Sequence, residues 1–271
     1  MPGTPPLPPT PKSLHQALNA TRPLIWDDVS ASTDEISSRY GPEATERSLH
    51  LLEQAAAVEP IVTDQFLDSL PSGTMPYQLD RRVKSPESLA RKIADWTDAG
   101  RHLPIDDILR YTAVTENPDE LVAAARRTVD ELNSHDWHVR TAMHSYTEGS
   151  RYKGLHAGLT ISGCPRVEVQ FHSVASAKIK EMTTPWYEIE RSATATLEER
   201  AEARQRSVEA SKTLKPPQGI DELTKLGGTR VQVNNYSDSR LRPVSEGRAT
   251  TQGERQQPRT AALDKTDGIA R

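Results

Sequence analysis

Four short motifs between residues 82 and 172 hold the side chains best suited to chemistry. They read Arg82-Val-Lys84-Ser-Pro-Glu-Ser88-Leu-Ala-Arg91-Lys92, Asp107-Ile-Leu-Arg110-Tyr-Thr, Tyr152-Lys-Gly-Leu-His156 and Val-Glu168-Val-Gln170-Phe-His172-Ser173. Together they supply clustered cations, a carboxylate, a flat aromatic ring and a second carboxylate. Those are the parts needed to transfer a phosphoryl group with help from a metal ion. No Gly-x-x-x-x-Gly-Lys loop occurs, so a Walker-type phosphate cradle is absent from the sequence.

Each motif has a physical reason for its spacing. Arg82 and Lys84 leave a strand, while Ser88, Arg91 and Lys92 fall three and four apart on the helix that follows, which brings them onto one face. A helix N-terminus with cations nearby suits a polyphosphate. Asp107 opens a run of Ile, Leu, Tyr and Val, where a carboxylate must lie at an exposed end, be paired, or hold a cation. Asp106 is its rival for a cation-binding role. Tyr152 and His156 fall opposite Leu155 and Leu159, so an aromatic ring on the polar face is placed to stack on a nucleobase. In the last motif Val167, Val169 and Phe171 face a core, and Glu168, Gln170 and His172 face the other way.

The order and wording of these motifs resemble the RelA/SpoT-type nucleotide pyrophosphokinases, the alarmone synthetases. The resemblance implies a nucleotidyltransferase-like α/β fold and transfer of pyrophosphate from ATP to the 3′-hydroxyl of a purine nucleotide. It implies ATP binding at Arg82, Lys84, Ser88, Arg91 and Lys92, a Mg²⁺ ion on Asp107 and Glu168, and stacking of the acceptor purine on Tyr152. His156 would lie near the acceptor's phosphates, Glu168 would be the catalytic carboxylate, and Gln170 would orient it or the ribose. Two departures point to the small or toxin-like branch. Thr112 stands where many long members carry Arg, with Arg110 two positions earlier, and His172 stands where larger members often carry Arg. The implied acceptors are GDP or GTP, or ADP or ATP. A tRNA 3′ end, and a non-catalytic nucleotide-binding module, stand as alternatives.

Two other features carry less. His135-Asp136 resembles the dipeptide of HD phosphohydrolases but lacks a convincing set of further ligands. The single cysteine, Cys164, reads as a turn residue and excludes an intramolecular disulfide.

The elements that must position these residues alternate. Strands are expected over residues 77–83, 105–115, 137–144, 152–161 and 166–172. Helices are expected from Pro42 to Val58 with Pro60 as the stop, over 63–70, 85–99, 118–132, 174–189 and 197–212. Strand and helix alternate before a closing hairpin. The fold class is therefore α/β (α+β), a mixed five-stranded sheet with packed helices.

Only 35% of the 271 residues are hydrophobic and 20 are proline. Mean hydropathy is −0.67. The expected domain spans 41–212. Residues 1–40 read as a Pro-rich, flexible segment and 213–271 as a disordered, mildly basic tail. A net charge of −4 argues against a global field for long nucleic acid. No apolar run reaches membrane-spanning length, and no signal-peptide pattern opens the chain. The expectation is action in the cytoplasm, with delivery as a secreted or phage-encoded effector left open. Oligomeric state and any neutralising partner are not legible.

Overall fold

Alternation along Val167–Ser173 and helical spacing before and after it predict a strand that hands directly into a helix, and the chain does this. The computed structural model describes residues 8–26, 31–98, 100, 105–192 and 194–236. The helices are α1 (Pro11–Thr21), α2 (Thr33–Tyr40), α3 (Pro42–Asp68), α4 (Pro86–Asp98), α5 (Leu121–Ser134), α6 (Val174–Arg191) and α7 (Leu197–Lys212). The strands are β1 (Thr74–Pro76), β2 (Leu109–Thr115), β3 (His138–His144), β4 (Leu155–Thr160), β5 (Val167–Ser173), β6 (Lys225–Leu226) and β7 (Thr229–Val233). The sheet runs β1-β2-β5-β4-β3-β7-β6. The β2–β5 and β3–β7 pairs are parallel, and the rest antiparallel.

One face of the sheet is apolar. Leu109, Tyr111 and Ala113 of β2, Val167, Val169 and Phe171 of β5, and Leu155, Ala157 and Leu159 of β4 are all buried. Phe66 of α3 stacks on Tyr111 with ring centroids 4.7 Å apart. Val129 and Leu132 of α5 join the same core. The opposite residues of these strands are therefore left to line a second, polar face.

The fold class stands, with corrections. The sheet has seven strands rather than five. Residues 77–83 do not form a strand: β1 ends at Pro76, a 3-10 turn covers Leu79–Arg81, and Val83 makes one isolated bridge to Leu109. Pro60 does not stop α3, which continues through it to Asp68. A mid-helix proline costs about 3 kcal/mol. Here Ala55, Val62 and Phe66 are buried on both sides of it, and their packing outweighs the lost bond.

Both flanks are also more ordered than composition suggests. Thr10 caps α1 in a reciprocal box with Ser13, and Leu14, Leu18, Leu24 and Trp26 are buried. The Trp26 indole N–H donates to the Val83 carbonyl at 2.9 Å. At the other end, β6 and β7 extend the sheet beyond β3, with Ile220, Leu223, Leu226 and Val231 buried. These elements bury one or two apolar side chains each, too few to register as periodicity. The expectations for residues 1–7 and 237–271 lie outside the described residues. Among the described residues no helix is long and apolar enough to cross a membrane.

Candidate active site

The polar face is built by register. Arg110 and Thr112 of β2 pair with Glu168 and Gln170 of β5. His156 and Gly158 of β4 pair with Gln170 and Glu168 from the other side. Met143 of β3 pairs with His156. Period-two geometry makes these side chains neighbours on one surface.

Glu168 is the convergence point. Its Oε1 accepts from His156 Nδ1 at 2.8 Å and its Oε2 from Gln170 Nε2 at 2.9 Å. Gln170 Oε1 in turn accepts from Lys180 Nζ of α6 at 2.7 Å. The second line continues from His156 Nε2 to the Tyr152 hydroxyl at 2.6 Å, on to His172 Nε2 at 2.8 Å, and from His172 Nδ1 to Ser176 Oγ at 3.0 Å.

The donor order follows from Glu168, which can only accept when ionised. His156 Nδ1–H therefore donates to it. In the neutral form of His156, Nε2 accepts from the Tyr152 hydroxyl. The Tyr152 oxygen then accepts from His172 Nε2–H, and His172 Nδ1 faces Ser176 Oγ at 3.0 Å, whose one O–H also reaches the Ser173 carbonyl at 3.1 Å. From His172 onward, each donor of this arrangement points toward Glu168. The tautomers are assigned for a neutral His156.

Burial pushes the Glu168 carboxyl up, but the His156 hydrogen bond and charge and the Arg110 guanidinium together pull it down to about 2. The Asp107 carboxylate is near enough to act on it in the upward direction. Burial, with Lys180 and His156 nearby, holds His172 well below the usual imidazole range. Burial, followed by the charge of Glu168, raises Tyr152 well above the usual phenol range.

The cationic side of the site centres on Asp107. Residues 82–84 run antiparallel to the start of β2, with Lys84 N–H on the Ile108 carbonyl at 3.0 Å and Arg110 N–H on the Arg82 carbonyl at 2.8 Å. That pairing brings Lys84 Nζ to 2.9 Å from Asp107 Oδ2, and α4 brings Lys92 Nζ to 2.7 Å from Oδ1. Burial pushes the Asp107 carboxyl up, yet the two ammonium groups outweigh it and hold it far below the usual range. Lys92 also lies over the Trp96 ring, 4.6 Å from its centroid.

The predicted residues do not all gather here. Arg82 is a correction: its side chain is fully buried and ion-paired with buried Glu59. Its remaining N–H groups donate to the carbonyls of Leu18, Arg22, Pro23 and Leu79. It ties α1 and the segment after it to α3, and has no donor left for a nucleotide. Arg91 turns toward Glu188 of α6 at 4.0 Å. Ser88 is half-buried one turn before Lys92, its N–H bonded to Ser85 Oγ at 3.3 Å. Asp106 pairs with Arg166 at 3.1 Å.

Tyr152 is also corrected in place. It lies in the loop before β4, not on the strand, and its ring packs edge-on against His156, His172 and Tyr236 at 5.3, 5.6 and 5.8 Å. Its hydroxyl passes close over Gly154, where a Cβ would come within 2.6 Å of it. The loop carrying Tyr152 is clamped from the C-terminal side. Ser211 Oγ donates to the Arg151 carbonyl at 2.8 Å, Lys153 Nζ to the Leu214 carbonyl at 3.1 Å, and Asn235 Nδ2 to the Glu148 carbonyl at 3.0 Å.

Sequence reasoning named Arg110 and His172 within the motifs but gave them no site role, and it missed Ser176 and Lys180. The alternation of its strand had already set His172 on the face of Glu168 and Gln170. Arg110 falls inside the second motif, on the polar face of β2. Lys180 and Ser176 have no local signature at all.

A metal site of protein ligands alone is not formed: among the described residues no three His, Cys, Asp or Glu side chains group as metal ligands. The donor set fits instead a magnesium ion held by one or two carboxylates with phosphate oxygens completing the shell. Asp107 meets this description if its lysines move to the phosphates.

Comparison with known proteins gives structural likeness only. No family model matches the chain, and no curated protein matches it. Solved structures do match. The small alarmone synthetase 2 from Bacillus subtilis is 17% identical, over 60% of this chain and 91% of that one, with a TM-score of 0.40. The type VI effector Tas1, solved with its immunity protein, is 15% identical, over 63% and 93%, with a TM-score of 0.38. A GTP pyrophosphokinase family protein from Streptococcus pneumoniae is 16% identical, over 70% and 91%, with a TM-score of 0.37.

Proposed function

We propose that this chain is an ATP-dependent pyrophosphokinase acting on the 3′-hydroxyl of a purine nucleotide. The observation that carries this reading is that Glu168, with both oxygens held, lies near enough to the Asp107 carboxylate of the Lys84–Asp107–Lys92 cluster to feel its charge. Three cations, Lys84, Lys92 and Arg110, lie about two carboxylates there, and such an excess suits a polyphosphate.

ATP lies with its phosphates against Lys84, Lys92 and Ser88. Asp107, with Glu168, would hold Mg²⁺, which offsets charge on the phosphates when bound. The acceptor base rests by the Tyr152 and Tyr236 rings. The 3′-oxygen attacks the β-phosphorus, the bond from that phosphorus to the α,β-bridging oxygen breaks, and AMP leaves with that oxygen. The hydroxyl proton passes to Glu168. A carboxylate with a titration near 2 is a weak base. Phosphoryl transfer through a loose transition state tolerates this, because the nucleophile loses its proton late. Glu168 therefore contributes chiefly by aiming the hydroxyl.

The test is incubation with γ-labelled ATP, Mg²⁺ and each candidate acceptor, including GDP, GTP, ADP, ATP and deacylated tRNA. Label moving to a nucleotide with release of AMP supports the reading. Release of inorganic phosphate alone, or no transfer to any acceptor, removes it.

A further inference from the structure

We infer that Lys180 is a positioning residue for this site: by fixing the sense of the Gln170 amide it fixes Oε2 of Glu168. The inference rests on the pyrophosphokinase reading for its catalytic consequence, but its structural part stands on the contacts alone.

An ammonium has three donors and no acceptor, so the atom 2.7 Å from Lys180 Nζ must be the Gln170 oxygen. The Gln170 NH₂ is then directed at Glu168 Oε2, 2.9 Å away. Turning the amide over would set NH₂ against the ammonium and an oxygen against the carboxylate, losing both bonds at once. Without Lys180, only the Glu168 contact would choose between the two orientations, and the Gln170 side chain would be free to leave it.

Lys180 sits in electrostatically costly surroundings. It is half-buried, with Arg110 of β2 and Glu168 of β5 as the charged groups facing it and Glu181 beside it on its own helix. Burial and the Arg110 charge hold its amine down to about 8. Arg110 lies near both Lys180 and Glu168, and its charge acts on each of them. A cation kept beside another cation in a half-buried position is costly, and such arrangements cluster at functional sites. Its height on α6 is set by the helix start: Ser173 and Ser176 form a reciprocal capping box, and Lys180 follows one turn later.

The experiment compares the full chain with Lys180→Met and Lys180→Arg. For Lys180→Met the expectation is a fall in kcat on the order of 10–100-fold, as for a small misplacement of a catalytic group, with KM for both nucleotides little changed. The thermal midpoint should stay level or rise, and Lys180→Arg should recover most of the rate. Without nucleotide, the Gln170 side-chain amide signals, assigned by their loss in Gln170→Leu, should shift in Lys180→Met. An unchanged kcat, a rise in KM alone, or unmoved Gln170 signals would overturn the inference. If the wild-type chain transfers no label while those signals move, the pyrophosphokinase reading fails and the Lys180–Gln170–Glu168 line survives.

Discussion

Ser176 and Lys180 stand one turn apart on α6, and each begins a hydrogen-bonded line that ends on a different oxygen of Glu168. One runs through His172, Tyr152 and His156 to Oε1. The other runs through Gln170 to Oε2. Residues four apart share a helix face, so a single rigid element orients both arms of the carboxylate. Helix α6 thus braces Glu168 through Gln170 and His172 of the same strand that carries it.

Replacing Glu168 by Gln keeps the shape and removes the charge. Turnover should fall on the order of 100-fold, as for a reacting hydroxyl no longer correctly aimed. Affinity for ATP, measured by calorimetric titration, should hold within a small factor. A variant with near-normal turnover would take Glu168 out of the reaction.

Arg82 should behave as a fold residue. Arg82→Ala leaves Glu59 charged, buried and unpaired, and breaking such a pair costs about 3–5 kcal/mol. At roughly 2–4 °C per kcal/mol for a chain of this size, the thermal midpoint should drop by on the order of 10 °C. The KM for ATP of the fraction still folded should not change. A selective rise in that KM with an unmoved midpoint would restore Arg82 to the nucleotide site.

Gly154→Ala is predicted to damage the site while sparing the core. The added Cβ would meet the Tyr152 hydroxyl at 2.6 Å and His172 Cε1 at 2.8 Å. Both belong to the line that feeds Glu168 Oε1, so kcat should fall with little change in the denaturation midpoint. Equal loss of both would mean that the ring cluster is part of the core.

The limits of the active fragment are predicted from β7. A fragment of residues 41–212 removes α1, the Trp26 contact, and the strand that covers β3, exposing apolar surface and an open edge. It should aggregate or lack activity, whereas residues 8–236 should retain both solubility and turnover. Light scattering and label transfer on the two fragments decide it.

Acid should weaken the fold through the same carboxylates. Glu168 is depressed from 4.5 to about 2, and Asp107 lies below its ordinary 3.8. Groups lowered in the folded state stabilise it fully above their unfolded values and lose that contribution as pH falls through the folded ones. The denaturant midpoint should therefore decline from about pH 4.5 toward about pH 2, and less steeply in Glu168→Gln. Parallel curves for the two proteins would deny Glu168 its depressed titration.

Much was legible from residue order. The alternation of Val167–Ser173 fixed which side chains share a face, because strand geometry repeats every two residues regardless of context. Helical spacing placed α4, α5, α6 and α7 within a few residues. The pairing of Asp107 with nearby lysines was foreshadowed by a carboxylate and a basic run that both needed partners. Tertiary structure decided the rest. It sent Arg82 inward, since a guanidinium with five donors can knot a core as readily as it binds phosphate, and the spacing is the same for both. It carried α3 through Pro60, because buried neighbours outweighed one missing hydrogen bond. It brought Lys180 to Gln170 and β7 to β3, contacts between residues far apart in the chain whose energies depend on distance in space, which no local pattern encodes.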